Sequence, residues 1–226
     1  MNKYNRIFAA LFGVFMWLGL PSHTHANLLV NGSFETPVVT PGTFANFLTG
    51  STAITGWTVF GPAVSVVSGT FTSGALSFPA QDGVQWLDLT GPTSGPMEGV
   101  NQSVATTPGQ TYNLSFYVGN IVGGGFGSTS MVGVLINGSQ IATATNSNPG
   151  TTLNWKLFTI PFTATSASTI IGFGNLDTDE SNGLDNISLD LAPTTAVPEP
   201  STWLLLGSGM IGLMFWQRRY HSHQQP

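Results

Sequence analysis

The chain contains no cysteine, and charged residues make up only 7% of it. Its histidines lie near the ends, at His23, His25, His221 and His223, and Lys156 is the only basic residue between positions 27 and 193. Each shortage removes a class of chemistry. Without cysteine there is no disulfide framework and no thiolate nucleophile or metal ligand. Without central histidine there is no Ser-His-Asp relay and no nitrogen-rich zinc or copper site. One lysine cannot supply the phosphate contacts of nucleic-acid binding, so no nucleic acid is expected as a partner. Gly123-Gly124-Gly125 lacks the Lys-Ser/Thr that would follow in a phosphate-binding loop. What remains is oxygen chemistry: carboxylates, hydroxyls, amides and the hard cations they hold.

The ends of the chain read as addresses. Lys3 and Arg6 precede an apolar run from Ile7 to Leu20, and Thr24-His25-Ala26 forms a small-residue cleavage site. This predicts a signal peptide over 1–26, helical in its apolar part and cut after Ala26. Near the other end, Pro198-Glu199-Pro200 leads into an apolar run from Trp203 to Trp216 and then Gln217-Arg218-Arg219. A helix of about 14–16 residues reaches some 21–24 Å, short of a hydrocarbon core of about 30 Å. A short hydrophobic helix that anchors transiently is therefore expected, with Arg218 and Arg219 on the cytoplasmic side.

The order Pro-Glu-Pro, apolar segment, basic stop resembles the PEP-CTERM sorting signal of exported bacterial proteins. That resemblance implies an exosortase as processing partner, a Gram-negative host that makes exopolysaccharide, and a destination at the cell surface or in the extracellular matrix. Residues 198–219 form the sorting and anchor segment, with Pro198, Glu199, Pro200, Arg218 and Arg219 as its motif residues. Residues 193–197 read as a linker and 220–226 as a cytoplasmic tail.

Residues 27–192 suit one domain, and their pattern is that of strands. Tyr112, Leu114, Phe116 and Val118 alternate with Asn113, Ser115 and Tyr117, the period of a strand with one buried face. Met131–Ile136 repeats this and meets Asn137-Gly138, a type I′ hairpin signal. Trp155–Phe162 alternates again, and Pro161 marks it as an edge strand or strand end. Further strands are expected at Trp57–Phe60, Val64–Val67, Gln85–Leu89, Gly99–Val104, Thr169–Phe173 and Leu184–Leu191. Short strands punctuated by Gly, Pro and Asn predict an all-β, two-sheet antiparallel sandwich.

Five motifs follow one another: Asn31-Gly32-Ser33-Phe34-Glu35, Gly56-Trp57, Gln81 to Leu89, Gly99-Val100-Asn101-Gln102, and Gly183-Leu184-Asp185-Asn186-Ile187-Ser188-Leu189. The ordered set resembles the galactose-binding-like jelly-roll superfamily, and within it the choice-of-anchor domains and related plant cell-wall domains of unknown function. Carbohydrate-binding members commonly share a structural calcium between an N-terminal glutamate and an aspartate of the closing strand, which implies Glu35 and Asp185 here. Carboxylates brought together repel unless a cation or proton compensates, and calcium accepts six to eight oxygens. The alternative is that Glu35 accepts hydrogen bonds from turn amides and Asp185 caps a bulge.

Aromatic side chains can stack on sugar rings. Trp57, Tyr117 and Phe126 are the candidates, Tyr117 on the polar register of its strand and Phe126 in a glycine-rich loop. Trp86 and Trp155 fall in alternating strand patterns and are expected in the core. Asp177-Thr178-Asp179-Glu180 reads as a solvated turn. The function these features predict is a non-enzymatic surface or matrix module associating with polysaccharide. A structural coat without a ligand is the alternative. A glycoside-acting enzyme using two of Asp82, Asp88 and Glu98 is the remote one.

Overall fold

The computed structural model describes residues 27–93, 97–178, 181–193 and 200–222. The predicted signal peptide, the linker beyond position 193, and Pro198 and Glu199 lie outside the described residues. The chain divides into two compact units, one ending at Ala192 and one beginning at Pro193.

The first unit is all β. Its strands are β1 (Phe44–Leu48), β2 (Thr58–Phe60), β3 (Ala63–Ser68), β4 (Thr72–Ser73), β5 (Leu76–Ser77), β6 (Gln85–Asp88) and β7 (Gly99–Ala105). They continue with β8 (Thr111–Asn120), β9 (Ser130–Ile136), β10 (Ser139–Asn146), β11 (Asn154–Thr163), β12 (Ser168–Asn175) and β13 (Gly183–Leu191). Six strands form one antiparallel sheet in the order β1-β3-β6-β13-β8-β11, and five form the other in the order β10-β9-β12-β7-β2. β4 and β5 make a separate small hairpin. Every strand expected from the alternation is present; β1 and the β4–β5 hairpin are additional.

Period-2 patterning explains the layers. Leu114, Phe116 and Val118 of β8, with Val64, Val66, Leu87 and Leu189, point inward from the six-stranded sheet. Val100, Val132, Val134, Ile171 and Phe173 meet them from the five-stranded sheet, completing one buried core. Asn137 and Gly138 both take positive φ, 51° and 79°, as the type I′ turn between β9 and β10 requires. Pro161 sits in β11, which is an edge of its sheet, where a missing N–H costs no ladder bond.

A second apolar cluster lies apart from this core. Val67, Leu76, Phe78, Trp86, Ile121 and Leu153 form it, with Phe71, Phe126 and Trp155 packed around them. Val67 and Trp86 alternate with the inward Val66 and Leu87, so this cluster covers the outer face of the six-stranded sheet. That second layer of rings shapes the candidate site.

The second unit contains α1 (Pro200–Ser222), 23 residues long, whose first residue is the last proline of the sorting motif. Proline is well placed there, since the first helical N–H has no intrahelical partner. The backbone of Arg218 and Arg219 falls within α1. Among the described residues no helix is long and apolar enough to cross a membrane. Gly207, Ser208, Gly209 and Gly212 dilute the apolar run, and α1 extends beyond the about 14–16 residues expected from that run to 23.

Candidate functional site

The N-terminal motif has no strand of its own, and side chains stitch it down. Asn31 donates from Nδ2 to the carbonyls of Thr36 and Thr55, and its own carbonyl accepts the Trp57 indole N–H at 3.0 Å. Gln102 holds Val30 by both its backbone groups, accepting at 2.8 Å and donating at 2.9 Å. Gln85 does the same further on, donating to the carbonyls of Phe34 and Pro37 and accepting from the Val39 N–H. The residues that carry the superfamily resemblance are largely clamps between segments distant in sequence.

Glu35 and Asp185 converge on one loop, 81–85. Glu35 Oε1 accepts the Val84 and Gln85 N–H groups, both at 2.9 Å. Asp185 Oδ2 accepts from the Gln81 and Asp82 N–H groups at 2.8 and 3.0 Å, and Oδ1 from Asn186 N–H at 2.7 Å. Asp82 joins them through the Ser33 hydroxyl, which donates to its Oδ2 at 2.6 Å. Burial raises the Asp185 carboxyl to a pKa of about 7, opposed by its amide donors and assisted by the neighbouring Asp82 charge. Five backbone N–H groups thus take up much of the acceptor capacity of the two carboxylates. Among the described residues, no cluster of three or more His, Cys, Asp or Glu side chains is arranged to hold a metal ion.

The described cavity of the sandwich lies elsewhere, on the outer face of the six-stranded sheet. Its volume is about 280 Å³, and Phe44, Phe71, Phe78, Trp86 and Phe126 are the rings around it. Phe78 is the hub: it lies nearly parallel to Trp86 at 6.2 Å, 9° between planes, and edge-on to Phe126 at 5.4 Å. Phe71 packs between Phe78 at 5.4 Å and Phe44 at 5.6 Å, which brings edge strand β1 into the wall. Phe126 is held by a tight turn, its N–H donating to the Gly123 carbonyl at 3.0 Å. Behind Trp86 stands Trp155, edge-on at 5.9 Å, with its indole N–H bonded to the Pro79 carbonyl.

Polar side chains complete the lining: Asn46, Ser65, Asp88 and Ser181. Asp88 is buried and its pKa is raised to about 6, by desolvation first, against hydrogen bonds from Thr90 and Asn182, with a further upward push from Glu98. Glu98 is itself buried and accepts the Thr93 hydroxyl.

Of the aromatic candidates, Phe126 lines this cavity. Trp57 does not: it is 1% exposed, packed between Phe34 and Phe173 in the main core, and offers no face to a ligand. The Gly56-Trp57 pair marks a turn into the core, and a turn glycine beside a tryptophan does not reveal which way the ring faces. Tyr117 lies half-buried on the same outer face, in register with Leu157 and Asp185, but is not among the cavity residues. Trp86 is buried as expected, yet in the outer cluster rather than the inter-sheet core. Asp177 precedes β13 and its Oδ1 accepts the Thr178 N–H; Asp179 and Glu180 lie outside the described residues. Phe44, Asn46 and Ser65 were not singled out in the sequence. The alternation Phe44–Asn46 along β1 was the available signal, obscured by its short length.

A two-sheet antiparallel β-sandwich with an aromatic cavity on one outer face defines the class. Residues 27–187 match the family described as protein of unknown function (DUF642), and the chain belongs to it. Residues 196–219 match the PEP-CTERM protein-sorting motif, which makes this an exported, extracytoplasmic protein. No curated protein matches the chain. Among solved structures, a cyclase from Fischerella sp. TAU bound to 4-(1H-indol-3-yl)butan-2-one is similar at TM-score 0.54 and 19% identity. The match covers 75% of this chain and 100% of that one. A Stig cyclase from the same organism, bound to a pyrrolidinylidene indole, has TM-score 0.54 and 18% identity over 74% of this chain and 98% of that one. The xylan-binding domain of Xyn10C from Paenibacillus barcinonensis is looser, at TM-score 0.42 and 19% identity over 70% and 99%. At such identities the cyclase likeness concerns the fold.

Proposed function

We propose that this protein is a non-enzymatic module of the cell surface or extracellular matrix of a Gram-negative bacterium, and that it associates with polysaccharide. The observation that carries this is the cavity on the six-stranded sheet, where rings that can stack on a sugar face stand beside Asn46, Ser65 and Asp88. Its place on an exported chain supports the reading, since a matrix glycan is the ligand such a protein meets. An exosortase cuts near Pro198-Glu199-Pro200, and the hydrophobic segment contacts the membrane only before that cut. The sandwich is a jelly roll in this reading. A structural calcium at Glu35 and Asp185 belongs to the proposal as well, drawing on their convergence at one loop and on the oxygens their amide donors leave over. Retention of the full chain on immobilised exopolysaccharide, lost with Phe126→Ala, tests the binding. A chain that passes unretained is a structural coat instead.

A further inference from the structure

Which sugars the cavity admits depends on how its floor is laid out. Across β1, β3 and β6 two rows of side chains run side by side on the outer face. Phe44 pairs with Val67 and Val67 with Trp86, giving an apolar row. Asn46 pairs with Ser65 and Ser65 with Asp88, giving a polar row one pleat along. Residues two apart on a strand share a face about 6.6 Å apart, and neighbouring strands lie about 4.8 Å apart. The platform is therefore apolar on one side and hydrogen-bonding on the other at roughly the scale of one pyranose ring.

The polar row keeps functional groups in reserve. Asp88 Oδ1 takes three internal donors: the Thr90 N–H at 3.0 Å, the Thr90 hydroxyl at 2.7 Å and the Asn182 N–H at 3.1 Å. None of these reaches Oδ2. Asn46 accepts the Ser65 hydroxyl on Oδ1 at 2.7 Å, which leaves its amide N–H groups for a ligand. An acceptor and a donor thus border the same cavity from opposite ends of the row.

Charge then selects the ligand. Asp88 is the one ionisable side chain among the residues lining the cavity, and no cation accompanies it there. Lys156 is on β11, the far edge of the sheet from β1, where its Nζ donates to the Thr145 carbonyl at 3.0 Å and lies 5.1 Å from the Phe158 ring centroid. A uronate, sulfate or phosphate group entering the cavity would meet a carboxylate without a compensating cation.

We propose that this cavity is a subsite for one neutral pyranose unit, stacked at the exposed Phe44 end of the apolar row, with Asp88 accepting from its hydroxyls and Asn46 donating to them. The subsite rests on the polysaccharide reading above. Its volume of about 280 Å³ lies at the lower end of small-ligand sites, so it suits a single ring better than a length of chain.

The test is titration calorimetry of the full chain with neutral hexose trisaccharides and with the same trisaccharides oxidised at C6 to uronates. The expected result is binding of a neutral form with the uronate at least about tenfold weaker, and a loss of about tenfold for Asn46→Ala, the scale of one or two hydrogen bonds. Asp88→Asn should narrow the gap between neutral and oxidised ligands, a change that a merely structural aspartate would not produce. Asn46 is exposed, so its variant keeps the test valid if Asp88→Asn fails to fold. Equal or tighter uronate binding, or an Asn46→Ala variant that binds as wild type, overturns the subsite and leaves polysaccharide association standing. An uncharged heterocycle such as indole binding in the cavity while no saccharide binds overturns both.

Discussion

Two aspartates carry the pH response of this fold. Asp88 and Asp185 have pKa values raised to about 6 and about 7 by burial, against an ordinary value of 3.8. A carboxyl whose folded pKa lies above its unfolded one binds its proton more tightly in the native state. That contribution is fully present below pH 4 and is lost as pH rises through 6 and 7. In chelator, the melting temperature should therefore be higher at pH 5 than at pH 8, and Asp88→Asn should flatten part of that slope. Calcium at Glu35 and Asp185 would act in the opposite sense, since it requires the deprotonated carboxylate. Added calcium should then raise the melting temperature more at pH 8 than at pH 5, and an indifferent curve rejects the calcium proposal. Gly83 is a second sensitive residue. Its φ is +66°, and a Cβ there would fall inside contact distance of Glu35 Oε1. Gly83→Ala should cost roughly 2–4 kcal/mol in urea unfolding, from left-handed strain plus the displaced carboxylate clamp.

At the level of elements, the two tryptophan environments separate stability from binding. Trp57 joins the turn before β2 to the inter-sheet core, and Trp57→Ala should cost about 3–5 kcal/mol, the range of a buried aromatic truncation. Phe126 belongs to the loop after β8 and is only partly buried, so Phe126→Ala should cost well under half of that while abolishing retention on polysaccharide. Denaturant melts beside binding assays of the two variants distinguish the roles. Equal destabilisation by both would show that the outer ring cluster is a second core and nothing more. β1 matters for the same reason: it pairs only with β3, yet it supplies the free end of both platform rows.

For the whole molecule, the sorting motif sets what is left after export. Intact-mass measurement of native surface material should find neither 1–26 nor the segment beyond Pro198-Glu199-Pro200. Persistence of α1 in that material would reject processing and leave the protein membrane-associated. With α1 removed by processing, the circular dichroism should be that of a β protein, since α1 is the one helix among the described residues.

Much of this was legible in the chain. Period-2 alternation in Tyr112–Val118 and Met131–Ile136 specified strands and their buried faces, because a one-residue slip would turn every apolar side chain outward. The scarcity of cysteine, histidine and lysine closes off whole chemistries, and the order Pro-Glu-Pro, apolar run, Arg-Arg marks the route of export. Glu35 and Asp185 came from the superfamily resemblance alone, and it is the tertiary structure that brings both onto the segment 81–85. The sequence could not say whether a given tryptophan faced the inter-sheet core or the outer layer. Trp57 and Trp86 both sit in apolar contexts, and only the packing of Phe71, Phe78 and Phe126 over the outer face of the sheet makes Trp86 the floor of a cavity. Nor could it join Asn46 to Asp88, 42 residues apart in number, since strand register alone brings them into one row. Alternation fixes which face a side chain takes within its strand; which strands lie beside it, and what covers that face, is decided by the pairing of segments far apart along the chain.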